Sequence, residues 1–159
     1  HRSDEAINAA LAVAWVIARA AVDELKLDTM VANLLEYVPP CRTLSSIARA
    51  QELAADRVPP TKALQELGLS GSAWETVASA FYCWLRNPAD LADVLTVAVL
   101  GAGDADTRAA IAGAMAGAYL GADAIPQRWA RQLDGYQALT ALSHRLYETT
   151  LEAWHGKHA

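Results

Sequence analysis

The sequence predicts an all-α protein. Proline and glycine cut the chain into helix-length pieces, and apolar residues within those pieces recur at three- and four-residue spacings. No run of strict apolar–polar alternation is bracketed by hairpin turns, so strands are not expected. The first helix is predicted from Asp4 to Leu25, with Ser3 as N-cap and Ile7, Leu11, Ala14, Val16, Ile17 and Val22 forming a broad apolar face. A second begins near Asp28 and stops before Pro39-Pro40. Thr43 or Ser45 opens a third, which lasts to Ala55 and ends before Pro59-Pro60. A short fourth covers Thr61 to Leu67 and closes on Gly68.

Glu75 to Arg86 reads as an aromatic helix with Val77, Phe81, Trp84 and Leu85 directed inward, and Pro88 suits the first turn of the helix that follows. That helix ends near Leu100. The next carries Gly113 and Gly117 among alanines. Each mid-helix glycine costs roughly 1 kcal/mol against alanine, so close helix contact is the expected compensation. Gly121 ends it, Pro126 opens a short helix to Leu133, and a last long helix runs from Tyr136 to about Trp154. No repeat or low-complexity linker divides the chain, so residues 1–159 read as one domain.

Composition narrows the function. Thirteen basic against eighteen acidic residues give a net charge of −5 with no basic stripe, which disfavours nucleic-acid binding. No uncharged stretch reaches the ~18 residues a membrane span needs; the most apolar segment, Ala9 to Val22, contains Arg19 and reads as a core helix. Cys41 and Cys83 have no metal-type spacing, and buried or free reduced thiols fit a cytoplasmic compartment. The chain opens on His1 without a signal peptide, and the expectation is that upstream sequence has been cut away or left out.

The densest chemistry lies at Leu100-Gly101-Ala102-Gly103-Asp104-Ala105-Asp106-Thr107, a flexible loop that runs straight into the Ala/Gly-rich helix. Two readings stand side by side. A carboxylate at a helix start caps free N–H groups and favours the macrodipole. Two carboxylates plus a hydroxyl, aimed by glycine bends, also suit a hard cation such as Mg²⁺, although three protein oxygens make only part of an octahedral shell. The Gly68-Leu69-Ser70-Gly71-Ser72 loop could offer N–H and hydroxyl groups to a diphosphate or serve as an ordinary turn and cap. Trp74 beside it stacks on a flat ligand or packs. His144, His155 and His158 have no carboxylate or cysteine at catalytic spacing.

Taken with its helix and with Ala124-Ile125-Pro126-Gln127-Arg128-Trp129, the Asp104 loop resembles the C-terminal half of the ADP-ribosylglycohydrolase family, whose Gly-Gly-Asp-x-Asp-Thr loop enters an Ala-Gly helix and is followed by Ile-Pro-x-x-Trp. Glu75 to Arg86 is similar to the helix that precedes that loop, and His1 with Asp4 resembles the family's Thr-His-x-x-x start of a central helix. The resemblance implies an orthogonal multi-helix fold, of which this chain is the C-terminal portion, holding two Mg²⁺ ions. It further implies hydrolysis of the glycosidic bond between ADP-ribose and a protein side chain or related acceptor. Asp104, Asp106 and Thr107 would then be metal ligands, Ser70, Gly71 and Ser72 would face the substrate, and His1 would lie near the ADP-ribose.

The chain departs from the family pattern twice. Ala102 replaces the first glycine of the pair. The Thr-Asp-Asp metal triplet and the acidic catalytic residue belong to an N-terminal half that this sequence does not contain, so the catalytic acid is expected there, that half is an expected partner, and the chain alone is expected to turn over little. A non-catalytic ADP-ribose-binding or structural module of the same fold is the alternative, and an unrelated helical partner-binding protein is a third reading.

Overall fold

The computed structural model describes residues 2–158, with side-chain surroundings for 2–150. It is helical as the sequence predicts: α1 (Asp4–Ala21), α2 (Met30–Leu34), α3 (Arg42–Ala55), α4 (Pro60–Leu67), α5 (Ala73–Leu85), α6 (Leu91–Leu100), α7 (Ala105–Leu120), a 3₁₀ turn (Ala122–Ala124), α8 (Gln127–Ala130) and α9 (Tyr136–His158). No strand occurs among the described residues. The helices fall into two compact units, His1–Ala124 and Ile125–Ala159. The first contains α1 to α7 and both candidate loops. The second contains α8 and α9, where Arg128 lies 5.7 Å from the Trp129 ring centre and Leu139, Leu142 and Leu146 are exposed.

In the first unit α5 is the central element, touched by α1, α3, α4, α6 and α7. Its sequence explains the position. Thr76 to Trp84 is buried around the whole circumference, and only a helix with almost no charge on any face tolerates that. Trp84 is enclosed between Phe81 and Tyr119, both edge-on, at 6.3 and 5.9 Å between ring centres. Such pairs add about 0.5–1.5 kcal/mol each beyond the area they bury. The Tyr82 hydroxyl donates to the Val58 carbonyl oxygen at 2.6 Å, so the one phenol inside α5 is satisfied by the turn after α3.

Helix α1 begins where predicted, with the Ser3 hydroxyl accepting from the Ala6 amide at 3.2 Å. Its buried face differs from the predicted one. Asn8, Ala9, Ala12, Val16 and Ala20 point inward, while Ile7, Leu11 and Val22 are exposed. Large apolar residues surround this helix, so hydrophobicity alone does not choose the face. The alanine stripe does, because small side chains let α1 lie close to α5 and α7. The helix also stops four residues short of Leu25, at Ala21, and Asp23 turns into a left-handed conformation at φ 57°.

The glycines of α7 behave differently from one another. A Cβ on Gly113 would meet Leu95 Cδ2 at 2.9 Å, which is the close contact with α6 that its presence predicts. Among the described residues Gly117 has nothing within 4 Å of that position, so the expected compensation is missing there.

Candidate metal and ligand site

Two loops that the sequence separates by some thirty residues meet in space. Gly68 and Gly71 adopt φ 99° and 78°, conformations that side chains rarely reach, and they fold the first loop back over α5. The Glu75 carboxylate holds the loop from inside, accepting from the Ser70 amide at 2.6 Å. The Ser70 hydroxyl in turn accepts from the Ser72 amide at 3.4 Å and keeps its own O–H free to donate.

The second loop packs directly on the first. Gly103, at φ 83°, lies so near Leu69 that an added Cβ would be 2.6 Å from the Leu69 carbonyl oxygen. A Cβ on Gly71 would lie 3.8 Å from the Asp104 Cβ. These glycines let two backbones touch, and the touching places Gly71, Ser72, Asp104 and Thr107 on the wall of one cavity of about 760 Å³. The rest of that wall is mostly apolar and runs along α1, through Ala6, Val13 and Ile17, to Val77 of α5 and Ile111 of α7, with Ser3, Glu5 and Thr76 as its other polar members. Such a mixture of apolar surface with a few convergent polar groups is typical of small-molecule sites.

Asp104 occupies the N-cap position of α7 yet makes no side-chain capping hydrogen bond. The helix start is secured by backbone: the Ala105 amide donates to the Gly103 carbonyl at 2.9 Å, and the Arg108 amide to the Asp104 carbonyl at 3.1 Å. The Thr107 hydroxyl, then Asp106 beside it, hold the Asp104 carboxyl below the usual carboxylate range; the nearby Thr107 amide and the Arg108 guanidinium contribute, and partial desolvation opposes. It is therefore ionised at neutral pH. Asp106 is exposed and does not line the cavity, but it adjoins Asp104.

The donor set of Asp104, Asp106 and Thr107 is two carboxylates and a hydroxyl, the oxygen chemistry a hard divalent ion takes. Among the described residues no cluster of three or more His, Cys, Asp or Glu side chains is arranged to hold a metal. The residues fit such an ion as part of its shell. His1 lies outside the described residues.

Three participants were not singled out in the sequence. Glu5 and Thr76 line the cavity from the first turns of α1 and α5, and helical spacing alone could have put Glu5 on the same face as Ala9 and Ala12. The third is Arg108, which is buried against the Asp104 loop. Trp74 packs under a cation: the Arg42 guanidinium carbon lies 3.9 Å from its ring centre, worth about 0.5–1 kcal/mol at an exposed position. Ser72 Oγ is buried and finds no hydrogen-bond partner among the described residues.

Comparison with known proteins agrees with this architecture. A family model described as ADP-ribosylglycohydrolase matches residues 1–155. The ADP-ribosylhydrolase ARH3 of Bos taurus is 34% identical over 112 residues, which cover 62% of this chain and 31% of that protein. The human ARH3 is 36% identical over 94 residues, covering 53% and 26%. An uncharacterized protein of Archaeoglobus fulgidus is 35% identical over 150 residues, covering 93% and 47%. The chain thus spans less than half the length of these relatives. No solved structure gives a significant match. With nearly its whole length matched by the family model, the chain belongs to the ADP-ribosylglycohydrolase family.

Proposed function

We propose that this chain supplies one half of a Mg²⁺-dependent site that hydrolyses the glycosidic bond between ADP-ribose and a protein side chain or related acceptor. The observation that carries the reading is the meeting of the Gly71–Ser72 loop with Asp104 at one cavity. Family membership supplies the reaction class.

Asp104, Asp106 and Thr107 would hold the ion. When bound, Mg²⁺ supplies Lewis acidity and charge that offsets a diphosphate in a chain of net charge −5. Gly71 and Ser72 bind the substrate from the facing loop, the buried Ser72 hydroxyl supplying a free hydrogen-bonding group, and the apolar wall along α1 excludes water from the cavity. Glu5 sets a further negative charge on the rim. Three oxygens leave half of an octahedral shell to other donors, so the chain alone turns over little. The free thiols Cys41 and Cys83 suit a reducing, cytoplasmic setting. No helix among the described residues is long and apolar enough to cross a membrane.

Calorimetric titration of ADP-ribose, with and without Mg²⁺, tests the reading. Binding that requires Mg²⁺ and is lost in Asp106→Ala supports it. Binding indifferent to Mg²⁺ favours a non-catalytic ADP-ribose module, and strong hydrolysis by this chain alone contradicts the half-site.

A further inference from the structure

We infer that Arg108 is a positioning residue for the ligand loop, an assignment that rests on the metal-site reading above. Arg108 is 2% exposed, yet no carboxylate among the described residues pairs with its guanidinium. A buried charge without a partner is strongly destabilising unless dipoles replace the water it lost. Here the loop itself does so. Nε donates to the Ala98 carbonyl at 2.9 Å, Nη2 to the Gly101 carbonyl at 2.9 Å and Nη1 to the Ala102 carbonyl at 3.2 Å. These are groups at and just beyond the C-terminus of α6, where the macrodipole favours a cation.

The consequence for the site is mechanical. Arg108 sits in the first turn of α7, and its own amide donates to the Asp104 carbonyl. One side chain therefore ties the segment before Asp104 to the helix that carries Asp106 and Thr107. The fork engages the carbonyls of Ala98, Gly101 and Ala102 and so fixes the course of the loop that leads to Asp104. It also helps to explain Gly101, whose φ is an ordinary −78°. A Cβ there would be 2.6 Å from Arg108 Nη2 and equally 2.6 Å from Leu64 Cδ1. Lysine retains the charge at 108 but has no planar fork to reach three carbonyls.

Hydrogen exchange on the metal-free chain, read by mass spectrometry for wild type, Arg108→Lys and Arg108→Met, tests the clamp. Both variants are expected to speed exchange of amides 99–106 by about tenfold while α3 and α5 stay protected as in wild type. Unchanged loop exchange, or an equal rise throughout α3 and α5, overturns it. Mn²⁺ binding followed by electron paramagnetic resonance supplies the second reading. Positioning predicts about tenfold weaker binding in both variants, whereas a merely repulsive charge predicts tighter binding in Arg108→Met and none of that gain in Arg108→Lys. Should neither variant fold, Gly101→Ala in a Leu64→Ala background, where the contact with Leu64 Cδ1 is removed, displaces Nη2 with the arginine in place and is expected to speed exchange of the same amides relative to Leu64→Ala alone; unchanged exchange there overturns the clamp. Wild type failing to bind Mn²⁺, or Asp106→Ala binding like wild type, counts against the metal site instead, and the exchange data then decide the clamp alone.

Discussion

Gly71 faces Asp104: a methyl group added at Gly71 would lie 3.8 Å from the Asp104 Cβ and 3.9 Å from its Oδ2. The contact is of ordinary van der Waals length, so Gly71→Ala meets no clash. It does force alanine into φ 78°, which costs about 1–2 kcal/mol. Urea denaturation should show a lower midpoint with the slope unchanged, and an unaltered midpoint would show that the loop is not held in this conformation in solution.

Ser72→Ala separates ligand contact from stability. Ser72 Oγ is buried without a partner among the described residues, so its removal sacrifices no hydrogen bond seen there and the melting temperature should hold or rise slightly. If this hydroxyl meets the ligand, ADP-ribose affinity falls by about tenfold, equivalent to ~1.4 kcal/mol. Unchanged affinity places the ligand elsewhere in the cavity.

The loop glycines and the helix glycine should respond with opposite signs. Gly103→Ala combines φ 83° with a 2.6 Å approach to a backbone oxygen, so a loss of about 2 kcal/mol or more is expected. Gly117→Ala adds a methyl where nothing lies within 4 Å and raises helix propensity, for a gain of up to about 1 kcal/mol. Denaturation curves of the two variants check both signs, and a destabilised Gly117→Ala would reveal a neighbour at that face.

Burial pushes the Cys83 thiol up from 9.0 to about 12. The folded protein therefore binds its proton more tightly than the unfolded chain does. The resulting stability is intact below about pH 9 and is lost as pH climbs toward 12. Tyr82, also raised by burial, acts with the same sign. Cys83→Ala should flatten part of the alkaline fall in stability that sets in above about pH 9. An identical fall in both proteins would show that Cys83 is not the group responsible.

The helices were legible because proline, glycine and cap residues mark their ends: Ser3 does cap α1, Gly68 does close α4, and Gly121 does end α7. The Asp104 loop was legible from its composition. Its relation to the Gly71 loop was not, since the contact between Gly103 and the Leu69 backbone depends on how α4, α5 and α6 pack and leaves no periodic signal. Arg108 was hidden for a related reason. An arginine four residues after Asp104 reads as a solvated helix residue until the carbonyls of Ala98 and Gly101 are seen to surround it. The inward face of α1 was misread because Ile7 and Leu11 outweigh Ala9 and Ala12 in hydrophobicity, while packing selected the smaller pair.

The account stands most directly on the carboxylate of Asp104. Titrating ADP-ribose into wild type and Asp104→Asn at saturating Mg²⁺ compares proteins that differ by one charge and no volume. Mg²⁺-dependent heat in wild type that disappears in Asp104→Asn, with the helical circular dichroism unchanged, is the predicted result. Equal binding by the two proteins would contradict it.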